Sequence, residues 1–171
     1  MAITFALLGI ALLLVLLFDR IRESLIVLSV IPFGISGALF ILFIHGQVLS
    51  FFAIIGMIVL IGIMVNNSLV LVWRFMENES QCTRENLVDF VISGTQDRVR
   101  PILLTTMTTV AGLIPLAYGL GGYDNYMSPM ALVVGWGCVI SMVVTLMVIP
   151  SLYLLVKQRQ LAGSELPKDR H

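Results

Sequence analysis

The stretch FFAIIGMIVLIGIMVNNSLVLVW, from Phe51 to Trp73, decides how this chain is read. It holds no charged residue, and as a helix it would extend about 35 Å at 1.5 Å per residue. The hydrocarbon core of a bilayer is about 30 Å thick, so the segment is long enough to span it. Only Asn66-Asn67-Ser68 interrupts the apolar run, near its middle. A barrel strand would alternate polar and apolar residues, and an open strand would leave backbone groups unpaired in lipid; neither describes this stretch, which leaves a helix.

Four further apolar runs flank it, at 2–18, 25–44, 101–119 and 128–156. The first, read as a helix over Ile3–Phe18, is short but sufficient, and the last has length to spare for tilt or an emergent end. A basic leader region and a small-residue cleavage motif before Asp19-Arg20 are missing, so the first run reads as a membrane helix rather than a signal peptide. Its position at the start suggests a longer parent chain upstream. The 171 residues are 58% hydrophobic and 12% charged, with mean hydropathy +1.02, more apolar surface than a water-soluble fold of this size can hide. The lipid bilayer is therefore the first partner. Formal net charge is zero, which gives no electrostatic basis for nucleic-acid binding. Cys82 and Cys138 form no disulfide framework, and no metal-ligand spacing or cofactor motif is present.

The connectors at 19–23 and 45–47 are short, 119–127 is glycine-rich, and only 74–100 is long. Within that long connector Leu87, Phe90, Val91 and Gly94 fall at helical spacing opposite Glu85, Asn86 and Asp89. This predicts an amphipathic helix over about 83–96, lying on the membrane surface. The fold class is thus all-α: a polytopic membrane helix bundle of five transmembrane helices and one amphipathic cytoplasmic-surface helix, with a cytoplasmic tail over 160–171. All ten Lys and Arg residues, from Arg20 to Arg170, fall on one side of this five-span topology. The positive-inside rule makes that side cytoplasmic and places the N-terminus outside.

Pro32, Pro115 and Pro150 lie inside apolar runs, where neighbours can satisfy the carbonyl each one frees. Gly34 and Gly37, Gly56 and Gly62, Gly112, and Ala131 with Gly135 supply small-residue positions for close helix packing. Polar groups at membrane depth are the candidates for function. Asn66 and Asn67 have two open readings, interhelical hydrogen bonding or membership of an ion or proton relay, and spacing alone favours the first. Thr105, Thr108 and Thr109 share a helix face, with Arg98 two turns earlier, about 10 Å along the axis. That line could carry protons; equally, Arg98 could be a basic anchor and the threonines could bond to their own backbone. No Asp, Glu, Lys or Arg sits deep in a span, so the chain does not contain a complete titratable transport site, and nothing in it suggests an enzyme.

Gly62-Ile-Met-Val-Asn-Asn-Ser-Leu-Val-Leu-Val72, Arg98-Val-Arg-Pro-Ile-Leu-Leu-Thr105, Gly112-Leu-Ile-Pro115, Ile31-Pro-Phe-Gly-Ile-Ser-Gly-Ala38 and Val148-Ile-Pro-Ser-Leu-Tyr153, in this order, resemble the C-terminal end of RND (resistance–nodulation–cell division) efflux permeases of the AcrB-like multidrug exporter type. The likeness covers the chain to about Arg159. It implies a twelve-helix permease in two similar halves, of which this chain would be helices eight to twelve, in the bacterial inner membrane with a periplasmic N-terminus. It further implies a trimer that uses proton flow to export drugs, metals or other toxic compounds, with a periplasmic adaptor and an outer-membrane channel. By the same resemblance Asn66 stands where many drug exporters carry a lysine of the proton relay. Asn67 follows it, and Arg98 and Thr105 match a relay arginine and threonine. The aspartates of that relay belong to the missing N-terminal half. The chain is then expected to be part of a truncated or split permease; alternatives are a small membrane protein that binds and regulates a full-length permease, and a free-standing oligomeric transporter.

Overall fold

The computed structural model describes residues 2–18, 21–77, 86–120, 122 and 124–164, with side chains placed for 8–18 and up to 158. The described residues form six helices: α1 (Ala2–Phe18), α2 (Ile21–Leu28), α3 (Ile31–Ile44), α4 (Phe51–Glu77), α5 (Leu87–Tyr118) and α6 (Met127–Ser164). Four stretches, Ile21–Ile44, Phe51–Glu77, Leu87–Tyr118 and Met127–Gln158, are long and apolar enough to cross a membrane, and α1 is a shorter apolar helix. The chain is a membrane helix bundle.

Proline and cap chemistry set the boundaries. The run expected at 25–44 begins earlier, at Ile21, and is broken at Ser29-Val30 into α2 and α3. Pro32, in the first turn of α3, cannot donate to the carbonyl of Leu28, so the ladder fails one turn before it. The Ser29 hydroxyl donates to the Ile26 carbonyl at 2.6 Å across the break. Pro101 and Pro115 lie inside α5, and Pro150 inside α6, without breaking them. The α3–α4 connection closes tightly: Gly46 takes φ 61° and Gln47 N–H donates to Leu42 O at 2.9 Å. Ser50 Oγ then accepts from Ala53 N–H, capping α4. Asp124, the one charge between Arg100 and Lys157, accepts from Tyr126 and Met127 N–H at the entry to α6.

The amphipathic stretch behaves differently from expectation. Residues 83–85 lie outside the described residues, but from Leu87 onward the stretch is continuous with the span that follows, giving one 32-residue helix. Its apolar stripe packs toward α4. Leu87 and Val91 are buried, Phe90 stacks 6.4 Å from Phe75, and Gly94 lies against the same ring. Phe75 also meets Tyr153 of α6 at 4.8 Å, and Arg74 pairs with Asp97 at 3.0 Å. These contacts gather α4, α5 and α6 at the end of the bundle that bears the basic residues, here called the basic end. Helix α6 continues past the expected limit of 156 to Ser164, and 165–171 lie outside the described residues.

Helix α6 is the hub, packed against α3, α4 and α5. Close approach there depends on missing side chains. A Cβ on Gly137 would lie 2.5 Å from Leu60 Cδ2, one on Gly56 3.0 Å from the Met130 carbonyl oxygen, and one on Gly37 2.9 Å from Ile140 Cγ2. A Cβ on Gly34 would collide with the Met64 side chain. A Cβ on Gly135 would meet Leu113 at an ordinary 3.8 Å, while Gly62 and Gly112 face open space. Gly56→Val, which cannot be relieved by a side-chain rotation because its neighbour is backbone, is expected to destabilise the bundle by about 1–3 kcal/mol. Gly112→Ala should be neutral, or stabilising by up to ~1 kcal/mol through helix propensity. Unfolding in detergent followed by tryptophan fluorescence checks both.

Candidate functional site

The asparagine pair lies near the middle of α4, and the way α4 is packed decides where each side chain points. Its inward stripe, Leu60, Met64, Leu71 and Phe75, is almost wholly buried, with Leu60 and Phe75 against α6 and Met64 against Gly34 of α3. Asn66, Asn67 and Gly62 fall off that stripe. Asn66 is exposed, Asn67 half-buried and Ser68 fully buried. The three polar residues of one turn therefore look in three directions, and only the outward two reach an open surface.

That surface is a groove of about 340 Å³ between α4 and α5, floored by α6. Val59, Gly62, Ile63, Asn66 and Asn67 form one wall, Thr105, Thr106 and Thr109 the other, and Cys138 comes from α6. A second groove of about 200 Å³ runs along the other flank of α4, against Ile10, Leu13, Leu14 and Leu17 of α1. Gly62 and Asn66 border both grooves, so Asn66 stands on the ridge between them.

The hydroxyls of α5 are oriented by their own helix. Thr105 Oγ1 donates to Pro101 O and Ile102 O at 3.1 and 3.0 Å, and Thr109 Oγ1 donates to Thr105 O at 2.8 Å. Pro101 helps here, because its carbonyl lies in an exposed turn where a side-chain donor is accommodated. With each proton spent on the backbone, the oxygens turn lone pairs outward and act toward the groove as acceptors. Cys138 is buried and makes no disulfide. Among the described residues no three His, Cys, Asp or Glu side chains gather to hold a metal ion.

Three of the four relay candidates, Asn66, Asn67 and Thr105, thus share one groove, and Arg98 does not line it. Arg98 is half-buried, two turns toward the basic end on the same helix as Thr105, about 10 Å away along the axis. Spacing grouped Thr105 with Thr108 and Thr109; in the structure Thr106 replaces Thr108 on the groove wall. Thr108 faces away, bonded to Leu104 O and Thr105 O. Thr106 and Cys138 carry no sequence signal of their own, since each sits in an apolar run with nothing to mark its side. Gly62 is a groove residue, not a helix contact.

The sequence profile of the AcrB/AcrD/AcrF family matches residues 1–157. The chain belongs to that family. It is thereby an RND-type transporter sequence, which accounts for the order of motifs from Ile31 to Tyr153. Among characterised relatives it is 37% identical over 153 residues to the swarming motility protein SwrC of Bacillus subtilis, covering 87% of this chain and 14% of that protein. It is 34% identical over 156 residues to the cobalt-zinc-cadmium resistance protein CzcA of Cupriavidus metallidurans, covering 90% and 14%. The crystal structure of a heavy metal efflux pump superposes with TM-score 0.78 at 29% identity, covering 90% of this chain and 15% of that one. The chain spans about one seventh of the length of these RND relatives.

The groove makes a direct prediction about access. With Cys82 and Cys138 replaced by serine, Asn66→Cys and Thr105→Cys should react with a small hydrophilic thiol reagent at least about tenfold faster than Leu71→Cys, whose position is fully buried. Equal rates at all three sites would contradict the open groove.

Proposed function

We propose that this chain forms half of the membrane domain of a proton-driven RND efflux transporter, and that the α4–α5 groove faces the other half. One observation supports this above the rest. A membrane-depth cluster of two amides and three hydroxyls opens at the bundle surface, and its three hydroxyls lie on α5, a helix whose most apolar window is only 17% buried, whereas the corresponding window of α6 is 50% buried. Amides facing lipid are costly, so this face requires a protein or aqueous neighbour. In an RND transporter the neighbour is the first half, carried on another chain or on the remainder of a longer one, and its aspartates would approach Asn66, Asn67 and Thr105.

Acceptor oxygens at Thr105 and Thr109 suit a protonated carboxyl, which donates a hydrogen bond. An ionised carboxylate would instead draw on the Asn66 and Asn67 N–H groups and on Arg98. The groove therefore offers partners for both protonation states, as a relay must. Asn66 contributes no charge, so Arg98 is the cation nearest this face in the chain's own sequence of site residues. On this reading the basic end is cytoplasmic, the N-terminus is periplasmic and the membrane is the bacterial inner membrane. The assembly would be a trimer working with an adaptor and an outer-membrane channel. Metals, as in the names of several relatives, or drugs would be the cargo, recognised outside this chain.

A photo-crosslinker at Asn66, in cells that express the cognate first half, should capture that half, and one at Phe43 on α3 should not. Capture of an intact permease instead would favour a regulatory subunit, and capture of neither would overturn the proposal. In the assembled transporter Arg98→Ala should lower proton-coupled efflux by on the order of tenfold or more, with Arg98→Lys recovering part of it.

A further inference from the structure

The four threonine hydroxyls at membrane depth on α5 differ in what holds their protons. Thr105 Oγ1 donates to Pro101 O and Ile102 O, Thr108 Oγ1 to Leu104 O and Thr105 O, and Thr109 Oγ1 to Thr105 O. Thr106 Oγ1 donates to no group among the described residues. A threonine in a helix commonly donates to the carbonyl four residues back, here Ile102 O. That carbonyl already accepts the helix's own N–H and the Thr105 hydroxyl at 3.0 Å, so both of its lone pairs are engaged.

Thr106 is also the most enclosed of the groove threonines. It is 6% exposed, whereas Thr105 is exposed and Thr109 half-buried, and it lines the groove together with Asn66, Asn67 and Cys138. Its oxygen is not sealed into the core as Ser68 Oγ and Thr145 Oγ1 are; the space it reaches is the groove. On the opposite wall the Asn66 and Asn67 amides likewise bond no other described residue. A hydroxyl whose proton is spent on the backbone can only accept, whereas a free one rotates about its C–O bond to donate or to accept. Among the described residues, Thr106 is therefore the groove hydroxyl that can serve both forms of a carboxyl.

We propose that Thr106 is the positioning residue that follows the partner carboxyl as it titrates, donating to the carboxylate and accepting from the acid. This rests on the reading of the groove as the face toward the aspartates of the other half. The Thr106 proton stays on its own oxygen throughout. A hydrogen bond to an ionised group is about twice as strong as one between neutral groups, so Thr106 on balance favours the carboxylate. Thr105, an acceptor only, favours the acid. The other groups that could bear on the carboxyl from this chain are the two amides of α4, Cys138 of α6, and Arg98, about 12 Å along α5 from Thr106.

Proton-coupled efflux by the assembled transporter in liposomes, with both halves present and followed against pH, tests this. Thr106→Val should lower efflux several-fold and move the proton-loading midpoint to higher pH, because the carboxylate loses a donor. Thr105→Val should move it to lower pH, because the acid loses an acceptor. Thr106→Ser should restore the original profile, and Thr108→Val, at a position that faces away, should leave it unchanged. If Thr105→Val moves the midpoint and Thr106→Val does not, or moves it the same way, the proposal is overturned and the transport reading stands. If neither variant moves it, no carboxyl meets the groove and both fall. Water-edited solid-state NMR on the full chain in lipid bilayers needs no partner and gives a second readout. Magnetisation from water should reach the Thr106 side chain several-fold faster than the fully buried Ile149. Build-up no faster than at Ile149 would also overturn the proposal, because the hydroxyl would then be dry and turned onto its own helix.

Discussion

The bundle depends on how closely α6 approaches α4. In lipid there is no hydrophobic gain from bringing two apolar helices together, and van der Waals contact has to supply the attraction. That contact is maximised where a side chain is absent. Gly56 admits the Met130 backbone, Gly137 admits Leu60, and at the basic end the Phe75 and Tyr153 rings close the seam. Because this stripe is packed so fully, the amides of Asn67 and Asn66, less than a quarter turn and nearly half a turn away round the helix, cannot join it. They are left to the flanks, where α1 and α5 pack less closely. The tight interface and the open groove are two consequences of one arrangement around α4.

Much of the fold was legible because membrane constraints are severe. Runs of apolar residues free of charge have one stable secondary structure in lipid, and the span from Phe51 to Trp73 needed little more than its length. The helix junctions were less legible, and proline shows why. Pro32 breaks its helix whereas Pro101, Pro115 and Pro150 do not, although all four lack the same N–H. The missing N–H alone therefore does not decide where a helix ends. The stripe of Leu87, Phe90, Val91 and Gly94 was read correctly as one face of a helix. Whether that face meets lipid or protein was decided by Phe75, on a distant part of the chain.

The site shows the same division. Asn66 and Asn67 stood out as amides at membrane depth, and Thr105 and Arg98 through the motif that contains them. Thr106 and Cys138 did not, since the helix rotation that brings them into the groove is fixed by packing against α6. The threonine hydroxyls proved to bond their own backbone, which does not remove them from the chemistry: spending the proton locally fixes the lone pairs outward. Glycine was the least legible residue. Gly62 and Gly112 face open space while Gly137, unmarked in the sequence, admits Leu60 of α4 at close range.

The central claim is that the α4–α5 face is covered by protein in the working assembly. It is tested most directly by oxygen accessibility of a nitroxide at Gly62, Asn66 or Thr105, measured by electron paramagnetic resonance in bilayers with and without the first half of the transporter. Accessibility at these three positions should fall when that half is present, while a nitroxide at Phe40 on α3 is unchanged. Accessibility that stays the same at all four positions would contradict it.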